Sequence, residues 1–566
     1  MIRSFIASPR RLPFVLCVIL AAALAWVPAD GKEGAEVRVT VVQTTDIHGR
    51  VLPWDYFREK EQNVGLARVA SYIGRVRAEN GHVLLLDNGD LIQGSPLAWY
   101  FLRRNTSKPN PMILVLNTLK YDAFTVGNHE FNFGLGPLLR CRDEAAFPFL
   151  SANTRRKGSE EPFFKPYVVK EFNGVRVGVL GLTTSNIPNW ETPENLGDLV
   201  FDPTPDAARK WVKVLREVEK VDAVVVNTHE GFEVDLATGK PNGSETENRA
   251  WELATAVPGV DVVLTGHSHD NVPPRLVGNV LIAQGHSWGQ HVTRVDLVFR
   301  KEKGRWGLAE KSGLNPAIDD TIPVDPAIAT LIAPYDREVR EWIAKPIATA
   351  ETDLSAEGVF TGDNALLDLI HAMVLERTGA QLSFASYMPG HYVRIARGPV
   401  RVSHLFALYP YENTTTVIAL KGKHVKEALE VSAEIYDTLE WDAANKTLNI
   451  GQQPDFRRYG FNTLAGARYA IDPTRPAGQR VVYLEIGGKP VDPEAEYTLA
   501  TNSYQAAGAG GRYAMFKNGR LVSRDTQEVR DLLIEYVQKK GTLRPEADWN
   551  WFLRVPAKLV IPDRPR

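Results

Sequence analysis

Cysteine is nearly absent from this chain of 566 residues, which has only Cys17 and Cys141. One bridge at most is possible, so stability has to come from buried apolar surface rather than from a disulfide framework. Long apolar runs are also missing. After the first 29 residues no stretch approaches the roughly 20 residues that a bilayer-spanning helix needs. An excess of positive charge is missing too. With 66 Lys and Arg against 68 Asp and Glu, the chain has no broad attraction for nucleic-acid polymers, and any phosphate chemistry must be local. Apolar residues at 44% and charged residues at 24% are ordinary globular proportions, which removes the disordered and fibrous classes. The length exceeds what one hydrophobic core usually serves, so two domains are expected.

Residues 1–29 read as a signal peptide for export. Arg3, Arg10 and Arg11 form a basic start, Leu12 to Val27 an apolar core, and Val-Pro-Ala a cleavage site after Ala29. The core is slightly short for a membrane span, which favours cleavage over a retained anchor. Arg10-Arg11 followed by Leu-Pro-Phe suggests a twin-arginine route, and Cys17 has no small residue before it, which argues against lipid attachment. Cleavage would leave 63 Lys and Arg against 68 acids, a net charge of about −5, with Cys141 as the only thiol. A periplasmic or secreted protein without stable membrane insertion is expected, acting as a monomer.

From Glu36 to about Phe299, apolar β-rich runs alternate with helical patterns. Strands are predicted at Val37 to Val42, Val83 to Leu86, Val175 to Gly181, Ala223 to Val226 and Val260 to Leu264, all short and rich in Val, Leu and Ile, as strands buried on both faces are. Between two of them a helix is predicted with Asp206 as its N-cap and Ala207, Trp211, Val212, Leu215 and Val218 at helical spacing. A layered α/β domain follows. Pro326 to Ile347 reads as a connector helix, with Pro334 placed to kink it. A helix over Asn364 to Arg377, a helix over His424 to Tyr436, and strands at Gln381 to Ala385, Thr415 to Leu420, Tyr469 to Ile471, Val481 to Ile486 and Tyr497 to Thr501 indicate a second α/β domain. The expected division is 36–325 for the first domain, 326–347 for the connector and 348–560 for the second, with a proline-rich surface tail after Pro556.

Five strand ends in the first domain carry groups that bind divalent cations. They are Asp46 and His48 in VVQTTDIH, Asp90 in DNGD, Asn128 with His129 in GNHE, His229 in NTHEG, and His267 with His269 in TGHSH. Open α/β sheets put ligands in the crevice beyond such strand ends. Each piece alone is explained as well by turn chemistry or by a hydrogen-bonded core histidine. Metal sites need several ligands together, and eight such groups at five strand ends are what a metal site requires.

The ordered set D-x-H, GD, GNH(E), a lone histidine and GH-x-H resembles the calcineurin-like metallophosphoesterase signature. The resemblance implies an N-terminal layered α/β/β/α domain holding two divalent ions, Zn, Mn, Co or Fe. Asp46, His48, Asp90 and His269 would hold one ion, and Asp90, Asn128, His229 and His267 the other. His129 would be the non-ligand histidine that stabilises the transition state or protonates the leaving oxygen, with Asn132 orienting its ring. Such a pair of ions lowers the pKa of a bridging water and neutralises charge on attacking and leaving oxygens.

The second domain resembles the C-terminal domain of exported 5′-nucleotidases and, more closely, of periplasmic 2′,3′-cyclic-nucleotide 2′-phosphodiesterase/3′-nucleotidases. The resemblance implies a base clamp, at Tyr411 with Asn413 beside it in YPYENT, and at Tyr504 in TNSYQAAGAGG. WDYF, DNGDLIQGSPLA, the stretch Tyr459 to Ile471 and TLATNSY resemble the cyclic phosphodiesterase branch. FASYMPGHYVR, over Phe384 to Arg394, departs from the 5′-nucleotidase glycine-rich segment, Ala509 to Gly511 stands where those enzymes have a ribose-binding aspartate, and Asn132 stands where they have an aspartate. GDNALLDLI, over Gly362 to Ile370, resembles the 5′-nucleotidase form, with Asn364 open to a helix-start role. The expected function is hydrolysis of 2′,3′-cyclic nucleotides and 3′-nucleotides to nucleoside and phosphate by a metal-bridging hydroxide. The alternatives are a 5′-nucleotidase or UDP-sugar hydrolase and, from another class, an inactive nucleotide-binding protein.

Overall fold

A computed structural model describes residues 34–436, 439–442, 447–450, 460–554 and 558–560. The signal segment 1–29 and Tyr459, the first residue of the Tyr459 to Ile471 stretch, lie outside the described residues. Five strands carry the candidate ligands: β1 (Glu36–Thr44), β2 (Val83–Asp87), β3 (Ala123–Thr125), β4 (Ala223–His229) and β5 (Val262–Thr265). β1, β2 and β3 pair in parallel within one six-stranded sheet, and β4 and β5 in parallel within another. Valine and leucine side chains fill the space between them, including Val39, Val41, Leu84 and Leu86 from one sheet and Val177, Val225 and Leu264 from the other, so both sheets turn one face inward. Helices Leu66–Glu79, Pro111–Leu119 and Pro326–Ile343 cover the first sheet, and Thr204–Glu217 and Ala250–Ala256 the second. The result is the expected α/β/β/α layering. Parallel pairing points the carboxyl ends of all five strands the same way within each sheet, which is why their loops can share one rim.

Two helix expectations need correction. Asp206 is not the N-cap: the helix begins at Thr204 after Pro203, and Asp206 lies in its first turn, bonded to Arg209. Pro205 in that turn already has the φ a helix start wants. The connector helix spans Pro326–Ile343, capped by the Asp325 side chain, and ends before Ile347 because Lys345 precedes Pro346 and the residue before a proline is disfavoured in helical backbone. Pro346–Ala350 is instead a strand. The helix is no loose tether. Ile328, Ile332, Val339 and Ile343 are buried in the first core, and Trp342 stacks on Trp99 at 5.3 Å.

The second domain has a five-stranded mixed sheet in the order Asn462–Ala465, Leu382–Ser386, Glu496–Asn502, Thr414–Lys421, Arg520–Glu528. Helices Ala365–Thr378, Gly422–Ser432 and Val529–Lys540 pack into its core. The tail after Pro556, expected to lie on the surface, contributes Lys558–Val560 as a strand beside Thr447–Ile450. No helix among the described residues is long and apolar enough to cross a membrane.

Candidate metal centre

The chain leaves three of the five strands, β1, β2 and β5, through strained backbone. Asp46, His48, Asp90, His267 and His269 all have φ between 49° and 69°, a region that non-glycine residues seldom occupy and that costs of order 1–3 kcal/mol each. Such strain persists only where the surroundings impose it. The imposition is visible at Gly127, where a Cβ would collide with Asp90 Oδ1 and stand 2.6 Å from the Asp90 nitrogen. The loops after β2 and β3 therefore meet backbone to backbone, and the glycine of GNHE is needed for that approach.

Ligand atoms from Asp46, His48, Asp90 and His269 lie within 4.8 Å of one another, as do those of Asp90, His229 and His267. Asp90 belongs to both groups. Asn128 joins the second through Oδ1, 3.1 Å from His229 Nε2. All seven residues expected to hold metal are thus brought together, from five strand ends and two sheets.

Hydrogen bonds decide which nitrogens face the cluster. His48 Nδ1 lies 2.9 Å from Gln93 Oε1, so it carries the proton and leaves Nε2 bare, 3.0 Å from His269 Nε2. Burial and the neighbouring His269 push the His48 imidazole down to about 3, so it is neutral. His229 Nδ1 bonds the Asn88 carbonyl, which turns Nε2 to two acceptors, Asp90 Oδ2 at 3.2 Å and Asn128 Oδ1 at 3.1 Å. Burial would lower His229, but Asp90 outweighs it and raises the group to about 10. That demand for positive charge is one a cation would meet. His267 Nε2 lies 2.6 Å from Glu247 Oε1, leaving Nδ1 for the cluster. Burial opposes ionisation of Asp46, yet its bond to His269 holds the carboxyl below its ordinary value. Converging nitrogen and oxygen lone pairs, most with their second atom anchored by an outer partner, fit a metal site. The mixed donor set suits Zn, Mn, Co or Fe.

Several residues that sequence reasoning did not assign support this cluster. Glu130, fully buried, accepts the backbone N–H groups of Asp90, Leu91 and Gly127 at 2.8 Å each and of Ile92 at 3.3 Å, tying two ligand loops to one carboxylate. His129 Nδ1 lies 2.6 Å from Asn132 Oδ1, as expected, and Asn132 Nδ2 donates to Glu191 at 2.8 Å. Burial lowers His129, but Asp90 and the Asn132 bond outweigh it and raise the ring. Trp190 lies 5.2 Å from the His267 ring.

The expected substrate residues are placed less uniformly. Tyr411 is 38% exposed and Tyr504 half-buried. A Cβ added at Gly510 would lie 3.7 Å from Trp190 Nε1 and 3.9 Å from the Tyr504 hydroxyl, so Tyr504 belongs to the wall facing the His267 side of the cluster. Asn413 bonds the buried Tyr409 hydroxyl and accepts Val529 N–H through its carbonyl. Asn364 caps its helix, accepting from Leu366 N–H, and donates to Ser355 O. YPYENT also supplies Glu412, which accepts from Gln93.

Residues 39–271 match the calcineurin-like phosphoesterase family, and residues 346–518 the 5′-nucleotidase C-terminal domain. A 2′,3′-cyclic-nucleotide 2′-phosphodiesterase/3′-nucleotidase of Salmonella typhimurium is 30% identical, over 94% of this chain and 91% of that protein. The trifunctional nucleotide phosphoesterase protein YfkN of Bacillus subtilis is 28% identical over 97% of this chain, which spans only 41% of that protein's length. The crystal structure of a 5′-nucleotidase precursor from Thermus thermophilus is 27% identical with a TM-score of 0.63, covering 92% of this chain and 100% of that one.

Proposed function

Because this chain belongs to the calcineurin-like phosphoesterase family and carries a 5′-nucleotidase C-terminal domain, and is therefore a hydrolytic enzyme of the nucleotide phosphoesterases, we propose that it opens 2′,3′-cyclic nucleotides to 3′-nucleotides and hydrolyses those to nucleoside and phosphate. Two divalent cations, one on Asp46, His48, Asp90 and His269 and one on Asp90, Asn128, His229 and His267, would supply an activated water and neutralise phosphoryl charge. The chain's own groups do the rest. Asp90 shares its carboxylate between the two sets, which leaves net positive charge for the phosphate. His129, its Nδ1–H on Asn132, keeps Nε2 to hand a proton to the leaving oxygen. Tyr411 and Tyr504 would hold the base by stacking.

The observation that carries this reading is the reach of the second domain into the cluster: Glu412, next to Tyr411, bonds the Gln93 that holds His48, and Tyr504 and Gly510 stand opposite Trp190. Asn364, the feature most like a 5′-nucleotidase, is occupied as a helix cap. Export through the 1–29 segment belongs to the same proposal. The test is the nucleotide, nucleoside and free phosphate formed from 2′,3′-cyclic AMP, 3′-AMP, 5′-AMP and UDP-glucose by purified protein, separated by chromatography. Turnover of the first two supports the proposal; turnover of 5′-AMP or UDP-glucose alone overturns it in favour of a 5′-nucleotidase or sugar-nucleotide hydrolase, and no turnover in metal-loaded protein in favour of a binding protein.

A further inference from the structure

Gln93, 3% exposed, lies three residues after Asp90 and touches both domains. Its Oε1 lies 2.9 Å from His48 Nδ1, and its Nε2 donates to Glu412 Oε2, 319 residues away. Glu412 is held in turn. Its other oxygen takes Arg530 Nη2 at 3.0 Å, and Arg530 bonds Glu528 at 3.2 Å and lies 4.1 Å over the Phe406 ring. Glu528 accepts Trp99 Nε1 of the first domain at 2.8 Å. The side chains of Glu412, Glu528 and Arg530 are 2%, 6% and 1% exposed, so this is a buried ionic joint between the domains.

An amide group has one accepting and one donating end, and a carboxylate only accepts. Glu412 therefore dictates which way the Gln93 amide faces. With Nε2 turned to Glu412, Oε1 must face His48, and His48 must carry its proton on Nδ1 with Nε2 bare for a cation. Were Glu412 withdrawn, the amide could rotate and offer N–H to Nδ1, which favours the other tautomer, with a proton on the nitrogen that faces Asp90 and His269.

We propose that Gln93 is a latch that couples docking of the 410–413 segment to the orientation and tautomer of His48, so that the substrate segment and the metal-facing histidine are set together. Gln93 and Glu412 are positioning residues. The proposal rests on the reading of the cluster as a metal centre and of the Tyr411 segment as part of the nucleotide site.

A swap of the two partners tests it in the full-length chain. Gln93→Glu keeps an acceptor for His48 Nδ1–H but sets a carboxylate against Glu412. Metal content by mass spectrometry should match wild type, while KM for the preferred nucleotide rises about tenfold and the radius of gyration in X-ray scattering increases as the domains part. Gln93→Leu, which loses both bonds, should also lower metal content. Combining Gln93→Glu with Glu412→Gln re-forms the bond with the donor reversed, and should restore KM and radius of gyration toward wild type. Wild-type KM and scattering in Gln93→Glu, or a double variant no better than the worse single one, overturns the latch. A wild-type chain that binds no metal overturns the reading of the cluster instead, and the scattering of the single and double variants still decides whether the latch closes.

Discussion

Asn132 holds the His129 ring through Oδ1, 2.6 Å from Nδ1, and turns its Nδ2 to Glu191 at 2.8 Å. The carboxylate behind the catalytic candidate is therefore one link away, not in contact. Asn132→Asp brings a carboxylate against the ring, and one proton shared with Glu191 keeps the added charge from doubling, because two adjacent carboxylates do not both ionise. His129 is raised in the folded protein, so its protonated form persists to higher pH, and an activity that needs that proton falls as pH rises through the group. The substitution raises it further. The alkaline limb of kcat against pH should move up by about one unit; a limb that stays put removes His129 from proton transfer.

Metal removal should abolish turnover and lower stability together. The ligand atoms of Asp46, His48, Asp90 and His269 converge only in the folded chain, with His48 Nε2 bare because Nδ1 is engaged by Gln93, so a cation that binds there stabilises the fold by mass action. Chelated protein should melt at lower temperature and regain both activity and Tm as Zn²⁺, Mn²⁺ or Co²⁺ is titrated back. Asp90→Ala should cost more than the roughly 100-fold upper range seen for outer partners of metal ligands. Full turnover in chelated protein would defeat the assignment.

The cluster was legible in the sequence because its candidate ligands sit at strand ends that apolar runs announce, four of the seven in pairs one residue apart: Asp46 with His48, His267 with His269. What was not legible acts across long separations without a repeating pattern. Gln93 reaches Glu412 over 319 residues, and Asn132 reaches Glu191 over 59. Nothing in either neighbourhood distinguishes a buried positioning carboxylate from a solvated one. The end of the connector helix was legible in principle, since Lys345-Pro346 is a stop signal. It was outweighed by apolar periodicity running on to Ile347.

Glu130 offers a test of how the ligand loops are held. Its carboxylate satisfies four backbone N–H groups, and an unsatisfied buried donor costs about 1–3 kcal/mol. Glu130→Ala should therefore lower stability by at least about 3 kcal/mol in denaturant titration and reduce bound metal, although Glu130 is no ligand. A variant with wild-type midpoint and metal content would contradict this.

Asp368 sits beside Asp363 and Asp548, and burial followed by their like charges raises it to about 7. A carboxyl raised by folding contributes its stability below its unfolded pKa, and that contribution is lost as pH rises through about 7. Asp368→Asn should accordingly raise Tm relative to wild type at pH 8, on the order of one degree, with the gain vanishing below about pH 4. A gain of the same size at both pH values, or a loss at pH 8, would show that repulsion does not govern this trio; added Ca²⁺ should be tried in parallel, since a cation would reverse the sign.

Substitutions of Tyr411 and Tyr504 test whether the second domain reads the base. Stacking contributes about 1–3 kcal/mol per base, which is about 5- to 150-fold in affinity. Each alanine variant should raise KM for a nucleotide by that factor and leave KM for p-nitrophenyl phosphate, which has no base, almost unchanged. The contrast matters because Tyr504 also stands near Gly510 and Trp190. If its role were only to pack that wall, its loss would disturb the Trp190 side of the His267 cluster and impair both substrates alike. A Tyr504→Phe variant separates the cases again: it keeps the ring for stacking and loses the hydroxyl, so nucleotide KM should return close to wild type if the ring is what the base needs.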